Sequence, residues 1–374
     1  MPRFLHELLA SHVVARPEHL AVCWKDERIP YAELDRLTNQ LAQTLRSHGC
    51  HPGDRVSVLM PNSANALFAI LGILKAGCVA FPIDITTPTK QLAEILGESQ
   101  PSVILAARVA RPVLEELFAA HLLGQPTFAA VSIGTLEALP IVGEHFTTAF
   151  SGIDVLHQSA GPLACRATTN SPALQFFRSG EMASDVGDSS GLPIYEATAI
   201  ASGSLKSTIV SHADVFAFLE GSQVAGDLNE FDRVAVAPPL SPLAVAVAFA
   251  ALAAGAELHI VPQELLARPR QLAVFVRSHE LTDWLTNHGA LSELVRSDSI
   301  IDGDFPSLKR LHWTGDVLHA PMLSDLMRRL PLTQFARIAG SSNLKLSGQT
   351  VEIQSLPEPE FLPASPVMLE VVPV

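Results

Sequence analysis

A short run of serine, glycine and lysine offers the clearest candidate chemistry in the sequence. Ser202, Gly203, Ser204 and Lys206 follow the apolar run 194–201. Main-chain amides in a Gly/Ser turn, a helix N-terminus and an ammonium all favour an anion, so this run predicts a phosphate ligand. The Walker pattern G-x-x-x-x-G-K-[ST] is absent. A solvated lysine on a Ser-rich strand-to-helix connection is the alternative interpretation.

Alternating strand and helix patterns surround this run and must position it. Residues 194–201 have a strand pattern and residues 213–220 a helix pattern. Further strands are expected at 233–237, 257–261, 281–285, 308–313 and 334–338, with helices at 243–254, 271–278, 289–296 and 321–330. Such alternation predicts parallel βαβ units.

The N-terminal third shows the same alternation. Four leucines at steps of three and four predict a core helix over 31–48, which Gly49 closes. Strands are expected at 54–60, 78–83, 102–106 and 127–133, and helices up to Lys75, around 91–98 and at 111–122. The chain is therefore predicted to be an α/β protein.

The domain organisation follows from where these patterns fade. We expect a first α/β subdomain over 1–133, a second over 192–345 and Pro-rich strands over 346–374. Residues 134–191 are expected to form a variable loop or insertion, partly disordered, because 151–190 is rich in small and polar residues without a sustained period.

The composition excludes several classes of function. With 48% hydrophobic and 17% charged residues, the chain is expected to be mostly buried globular structure. A net charge of −13 argues against binding to nucleic acid or to an anionic membrane. No uncharged apolar run has the length of a membrane span, and the N-terminus does not resemble a signal peptide.

The cysteines and histidines do not form a recognisable metal-binding pattern. Cys23, Cys50, Cys78 and Cys165 make no CxxC pair, and the 14 histidines make no HxxxH or HxH pair. We therefore predict no metal site, and reduced thiols in a cytoplasmic protein.

Several N-terminal motifs together carry a family resemblance. Residues 31–34 read Y-A-E-L, residues 53–58 read G-D-R-V-S-V, and residues 74–84 read L-K-A-G-C-V-A-F-P-I-D, with Gln91-Leu92 after them. These segments resemble the adenylate-forming (AMP-binding) superfamily, most closely its nonribosomal peptide synthetase adenylation domains, with acyl-CoA ligases as the related branch. The resemblance implies a large N-terminal lobe of stacked αβαβα layers with mainly parallel sheets.

The C-terminal half extends the resemblance over nearly the whole chain. Ser211-His212 resembles the S-H after the family's phosphate loop, residues 252–255 its L-x-x-G, and residues 308–330 the strand, G-G-E turn and helix that wall its acyl pocket. Residues 134–191 and the last thirty or so lie outside it.

The phosphate loop departs from the family pattern T-S-G-[ST]-T-G-x-P-K-G. Residues 201–206 are three residues shorter and lack its second glycine and its proline. The resemblance implies ATP or AMP as ligand, held by Ser202, Gly203, Ser204 and Lys206, with Lys206 as the catalytic candidate. A loop this short is not expected to follow the same path around a triphosphate.

The substrate pocket departs as well. Ser241 and Pro242 stand where the family's F-D opens a helix, and that aspartate would hold a substrate ammonium. A buried ammonium without this carboxylate would be left unpaired, so an α-amino acid substrate is not expected. Gly315 and Asp316 fall on the G-G-E turn, although Thr314-Gly315-Asp316 also spells the family's ribose-binding T-G-D.

The adenine and metal motif is the third departure. Residues 339–343, A-G-S-S-N, stand where the family has Y-G-x-T-E, which leaves Gly340 and Ser342 as the matching cofactor-binding candidates. Ala339 replaces the adenine-stacking aromatic, and Asn343 cannot supply the anionic oxygen that Mg²⁺ prefers, which makes Mg²⁺ binding doubtful. The sequence stops at Val374, so we expect the small C-terminal lobe with its catalytic lysine to be absent.

Three functional hypotheses remain open at the level of sequence. The first is an acyl-activating ligase of secondary metabolism for an unusual carboxylic acid, completed by a C-terminal lobe in trans. The second is a pseudoenzyme, weak or inactive in adenylation, that binds a small acid or nucleotide or scaffolds a synthetase or carrier-protein partner. The third is a decayed gene or a misplaced exon boundary.

Overall fold

A computed structural model of the chain describes residues 4–121, 131–164, 168–179, 195–199, 205–221, 227–237, 241–315, 317–338 and 368–371. The predicted α/β class is confirmed: two mainly parallel sheets alternate along the chain with helices. Among the described residues, no helix is both long and apolar enough to cross a membrane.

The first sheet has seven strands in the order β6-β5-β3-β4-β7-β9-β8. These are β3 (Arg55–Leu59), β4 (Val79–Ile83), β5 (Val103–Ala106), β6 (Ser132–Gly134), β7 (Pro172–Ser179), β8 (Tyr195–Ala199) and β9 (Leu205–Ser211). Neighbours from β6 to β7 are parallel, whereas β9 pairs antiparallel with both β7 and β8.

The second sheet has eight strands in the order β15-β14-β13-β12-β10-β11-β1-β2. These are β1 (Leu20–Trp24), β2 (Glu27–Pro30), β10 (Arg233–Val236), β11 (Glu257–Ile260), β12 (Asp283–Asn287), β13 (Arg310–Thr314), β14 (Gln334–Ile338) and β15 (Met368–Val371). Every recorded pairing from β15 across to β1 is parallel.

Twelve α-helices lie in the described residues. They are α1 (Ala10–Ala15), α2 (Tyr31–Ser47), α3 (Ala64–Lys75), α4 (Thr89–Ser99), α5 (Arg111–His121), α6 (Gly152–Leu156), α7 (His212–Gly221), α8 (Pro242–Ala254), α9 (Gln263–Leu266), α10 (Pro269–Ser278), α11 (His288–Arg296) and α12 (Ala320–Arg329). Short 3₁₀ helices cover Leu5–Leu9 and Arg108–Ala110.

The helix predicted over 31–48 is α2, and its leucine stripe packs on α3. Leu34, Leu41 and Leu45 are fully buried. A Cβ on Gly72 of α3 would come within 2.6 Å of the Leu41 side chain, so the two helices approach as closely as glycine allows. Lys75, at the end of α3, reaches back to Asp35 of α2 with its ammonium 2.5 Å from the carboxylate. The L-K-A-G motif therefore has a structural role.

Contacts divide the chain into two units. The first comprises Met1–His19, Ile29–Met182 and Ile194–Phe216, and the second comprises Leu20–Arg28, Ala183–Pro193 and Ala217–Val374. The first unit contains β8 and β9, which the sequence-based division grouped with residues 192–345. Two elements, α6 and β7, lie within 134–191, where the sequence indicated a loop or insertion.

Each unit has its own apolar core. In the first, helices α4 and α5 pack on the sheet around Phe81, Leu92 and Leu114. In the second, helices α10, α11 and α12 cover one sheet face around Trp284, Trp313 and Phe335. These cores hold the strand ends that carry the candidate site residues.

Candidate functional site

The carboxyl edge of the second sheet gathers several predicted site residues. Strand β10 lies between β11 and β12 in the sheet. The chain leaves β10 toward β11 on one side and leaves β12 toward β13 on the other, so the two connections run in opposite directions. In the parallel pairing, Val236 of β10 lies opposite Leu285 of β12, and Asn287 of β12 lies opposite Thr314 of β13. The carboxyl ends of these three strands therefore lie at one edge of the sheet. Open α/β sheets bind ligands at such a switch point.

Ser241 and Pro242 begin helix α8 after β10. The Ser241 hydroxyl accepts a hydrogen bond from the Ala244 amide at 3.2 Å, and Pro242 occupies the first helical turn. Serine at an N-cap and proline at the first helical position are both favoured at helix starts. The position where the resemblance expects a substrate-binding aspartate is therefore Pro242 in the first turn of α8, directly after the capping serine.

The turn after β13 brings Gly315 against the start of α11. Gly315 has a φ of 95°, and a Cβ there would lie 3.4 Å from the His288 Cβ. A guanidinium nitrogen of Arg337 donates to its carbonyl at 3.3 Å. This turn needs glycine because its backbone is left-handed. Asp316, the neighbouring candidate, lies outside the described residues.

Asn287 and His288 belong to this edge, although sequence reasoning missed them. The Asn287 side chain accepts from the Ala290 amide at 2.8 Å and caps α11. Both residues line an open depression of about 390 Å³ that also contacts Ser292 and Arg296. The sequence T-N-H-G at residues 286–289, where the strand meets the helix, could have identified them. Polar residues at the carboxyl end of a parallel strand lie at the edge of the sheet that binds ligands.

Lys206 occupies a different setting from the one that the sequence indicated. It is the second residue of β9, opposite Ala199 of β8 and Arg178 of β7. Helix α7 begins only at His212, and Ser211 and Asp214 cap it through a hydroxyl–carboxylate bond of 2.6 Å. The expected strand-to-helix turn is therefore wrong: a strand separates Lys206 from the helix N-terminus, whose dipole acts only within its first turn.

Arg178 is a second basic residue that sequence reasoning missed. The antiparallel register between β7 and β9 sets it directly opposite Lys206. Ser202, Gly203 and Ser204, and also Gly340 and Ser342, lie outside the described residues. Of the predicted cofactor-binding set, the structure therefore positions Lys206 alone.

His212, the histidine of the S-H motif, has a buried structural role. Its Nδ1 accepts from the Leu5 amide at 3.3 Å, and its ring meets Phe4 edge-on. Burial lowers the pKa of His212 to about 4, so the ring is neutral at physiological pH. A neutral acceptor fits the hydrogen bond to Leu5.

Comparison with known proteins adds sequence evidence to this geometry. The family of AMP-binding enzymes matches residues 9–144. Nonribosomal peptide synthetase GRA1 of Gibberella zeae is 37% identical over 113 residues, which are 30% of this chain and 1% of that protein. Syringomycin synthase SyrB1 of Pseudomonas syringae pv. syringae is 27% identical over 280 residues, covering 75% of this chain and 38% of that protein.

Solved structures share the fold. The nonribosomal peptide synthetase FmoA3 with AMPPNP bound superposes with a TM-score of 0.68 at 23% identity, over 89% of this chain and 31% of that chain. A fatty acyl CoA synthetase of Mycobacterium tuberculosis gives a TM-score of 0.71 at 16% identity, over 89% of this chain and 58% of the other. The chain thus spans a minor part of the synthetases it matches, from 1% to 38% for the two above.

The N-terminal motifs, the family match and the two-sheet fold agree with one another. Motifs such as L-K-A-G serve the packing of α2 on α3, which explains why they mark the fold. Residues 9–144 therefore match the family of AMP-binding enzymes, and these findings together support an adenylation-like domain of the nonribosomal peptide synthetase type.

Proposed function

We propose that this protein is an adenylation-like pseudoenzyme, descended from ATP-dependent ligases that activate carboxylic acids and weak or inactive in adenylation. The short phosphate loop is the observation that carries the proposal. Strand β8 ends at Ala199 and β9 begins at Leu205, so only residues 200–204 connect two antiparallel strands. The resemblance aligns residues 201–206 with a family loop that is three residues longer, so fewer main-chain amides are offered to a triphosphate.

The substitutions around the second sheet support the same proposal. Pro242, which the resemblance aligns with the substrate-binding aspartate, offers no carboxylate to an ammonium, and the Ser241 hydroxyl before it caps α8. Ala339 and Asn343 replace the aromatic and acidic residues that the family resemblance implies for adenine and Mg²⁺. These substitutions remove the carboxylate, the aromatic and the acidic residue that the family resemblance implies for a complete substrate and ATP–Mg²⁺ site.

The experiment is ATP–pyrophosphate exchange by the purified chain with a panel of amino, aryl and fatty acids. We expect no exchange above the rate without acid, because adenylation depends on positioning and electrostatic stabilisation of the phosphates. Lys206→Ala serves as the matched control and should leave that background unchanged. Exchange that needs both a particular acid and Lys206 would overturn the proposal and favour an active ligase for that acid.

Nucleotide binding without catalysis is a second candidate, favoured by Arg178 opposite Lys206 on β7 and β9. Two cations at adjoining positions suit the phosphates of ATP or AMP. Millimolar AMP or ATP should then raise the melting temperature through linkage, and Lys206→Ala should reduce that rise. An unchanged melting temperature at millimolar nucleotide would contradict this candidate. We also propose small carboxylic acids as ligands, and carrier proteins or synthetases as partners, because the relatives are nonribosomal peptide synthetases.

A further inference from the structure

Three potential metal ligands meet on one face of the second sheet. Glu257 and His259 lie two residues apart on β11 and so share a face, and Cys23 of β1 stands in register with His259. One ligand atom from each residue lies within 4.8 Å of the other two. Cys23 precedes Glu257 and His259 by more than 230 residues in the sequence, so the parallel pairing of β1 with β11 is what assembles them.

The distances within this cluster suit a small tetrahedral ion. Bond lengths of about 2.0 to 2.3 Å around zinc place neighbouring ligand atoms roughly 3.4 to 3.6 Å apart. His259 Nε2 lies 3.4 Å from Glu257 Oε2, which already matches that separation. The thiol of Cys23 needs a shift of about 1 Å at most to complete the set, since 4.8 Å is the upper limit.

His259 presents a buried imidazole to the cluster. Its side chain is 4% exposed, and among the described residues neither ring nitrogen has a partner with good hydrogen-bond geometry, although Nε2 lies 3.4 Å from Glu257 Oε2. Buried polar side chains usually have a hydrogen-bond partner, and each exception calls for an explanation such as an ion. A metal bound at Nε2 would satisfy this nitrogen.

The charges around the cluster are compatible with a cation. Arg233 lies 3.6 Å from Glu257, but its guanidinium also pairs with Glu280 at 2.5 Å, so two carboxylates face one guanidinium. Arg28 is the other cation near the Cys23 thiol. The two arginines and the two glutamates together carry no net formal charge. Deprotonation of the Cys23 thiol would add one negative charge and make the site anionic.

We propose that Cys23, Glu257 and His259 form a zinc-binding site on the second sheet. Thiolate, imidazole and carboxylate are zinc ligands, and three protein ligands leave a fourth position for water. On binding, the Cys23 sulfur–hydrogen bond breaks, a sulfur–zinc bond forms and the proton passes to solvent. The proposal departs from the sequence prediction of no metal site, which rested on CxxC and HxH spacings alone.

The test uses the full chain, stripped with a chelator and titrated with Zn²⁺ alone and Co²⁺ alone. We expect one equivalent of Zn²⁺ per chain and, with Co²⁺, a sulfur-to-cobalt charge-transfer band. Cys23→Ser should remove that band and weaken Zn²⁺ binding by roughly 10- to 100-fold or more, since even outer partners are worth that much. His259→Gln should weaken binding similarly.

Cys50→Ser is the matched control, because Cys50 is equally buried but lies in the first unit. It should bind Zn²⁺ as the wild type does. If Cys23→Ser does not fold, alkylation of the wild-type thiols tests the proposal instead. Zn²⁺ should slow the alkylation of Cys23 and leave the alkylation of Cys50 unchanged. Less than about 0.2 equivalents of Zn²⁺ on the wild type, no charge-transfer band, or equal binding by Cys23→Ser would each overturn the proposal.

Discussion

Ser241 illustrates how one side chain connects fold and specificity. Its hydroxyl is engaged by the Ala244 amide at the start of the buried helix α8. An aspartate at this position could cap the helix equally well and would add a carboxylate, because both residues are favoured N-caps. Serine caps the helix without a charge, and Pro242, which the resemblance aligns with the substrate-binding aspartate, adds no anionic group either.

The capping role leads to a direct prediction. Ser241→Ala should lower the free energy of unfolding by about 1 kcal/mol, through the lost cap, whereas Ser241→Asp should keep it near the wild-type value. Urea denaturation of both variants checks this. Equal stability of Ser241→Ala and wild type would show that the cap contributes nothing.

Residues with distant partners were the hardest to predict from sequence. Arg178 became a candidate phosphate-binding residue only because it lies opposite Lys206 in the sheet. Cys23 became a candidate metal ligand only because it lies opposite His259. Local patterns identify capping residues and turns, but they carry no information about which strands lie side by side. Ser241 could be placed in advance because the family motif and the helix start coincide.

At the scale of elements, the strand ends opposite the candidate site are joined by buried charges. Arg310 at the start of β13 binds Asp283 at the start of β12 and lies 3.4 Å from Asp232, just before β10. All three side chains are at most 11% exposed. Burial raises the pKa of Asp283, although Arg310 opposes the shift. This network fixes the register of three parallel strands.

Removal of Arg310 should therefore be costly. Arg310→Met leaves the buried Asp283 carboxylate without its cation, while Asp232 keeps Lys309 at 2.7 Å, and should destabilise the protein by about 3 to 5 kcal/mol. Arg296→Met is the control, since Arg296 is 63% exposed in its pair with Glu293 and should change stability by less than about 1 kcal/mol. Denaturant midpoints measure both. Similar midpoints for the two variants would contradict the role of the network.

The elements themselves were largely predictable. Helix α2 and strand β3 occupy nearly the predicted ranges, because leucine periodicity and alternation are local signals. Strand β9 was missed, since its β-branched Thr208, Ile209 and Val210 lie between a Gly/Ser turn and a helix and were assigned to a motif instead. That one strand changes the setting of Lys206 from a helix start to a hairpin.

For the whole molecule, buried histidines contribute to the response to acid, and His259 is one of them besides the three considered next. Burial lowers the pKa values of His6, His212 and His312 to about 4 each. Between pH 6.5 and 4 the unfolded chain binds protons that the native chain does not, so stability is present above pH 6.5 and decreases as the pH falls. Each histidine contributes up to about 1.4 kcal/mol per pH unit.

We therefore expect the melting temperature to fall between pH 7 and pH 5. His312→Gln should make this fall shallower by removing one of the three groups, and His51→Gln, at an exposed position, should leave the slope unchanged. Thermal denaturation across this range is the measurement. A melting temperature that stays constant or rises toward pH 5 would contradict neutral burial of the three rings.

The pairing of β1 with β11 has a consequence for how the protein is made. Val22 stands opposite Leu258, 236 residues later in the chain. At 5 to 20 residues per second, a ribosome needs roughly 10 to 50 seconds to deliver that partner. Throughout this interval the apolar strand Leu20–Trp24 has β2 available on one edge but lacks β11 on the other. The nascent chain thus presents one open strand edge to chaperones long before the second sheet can close around it.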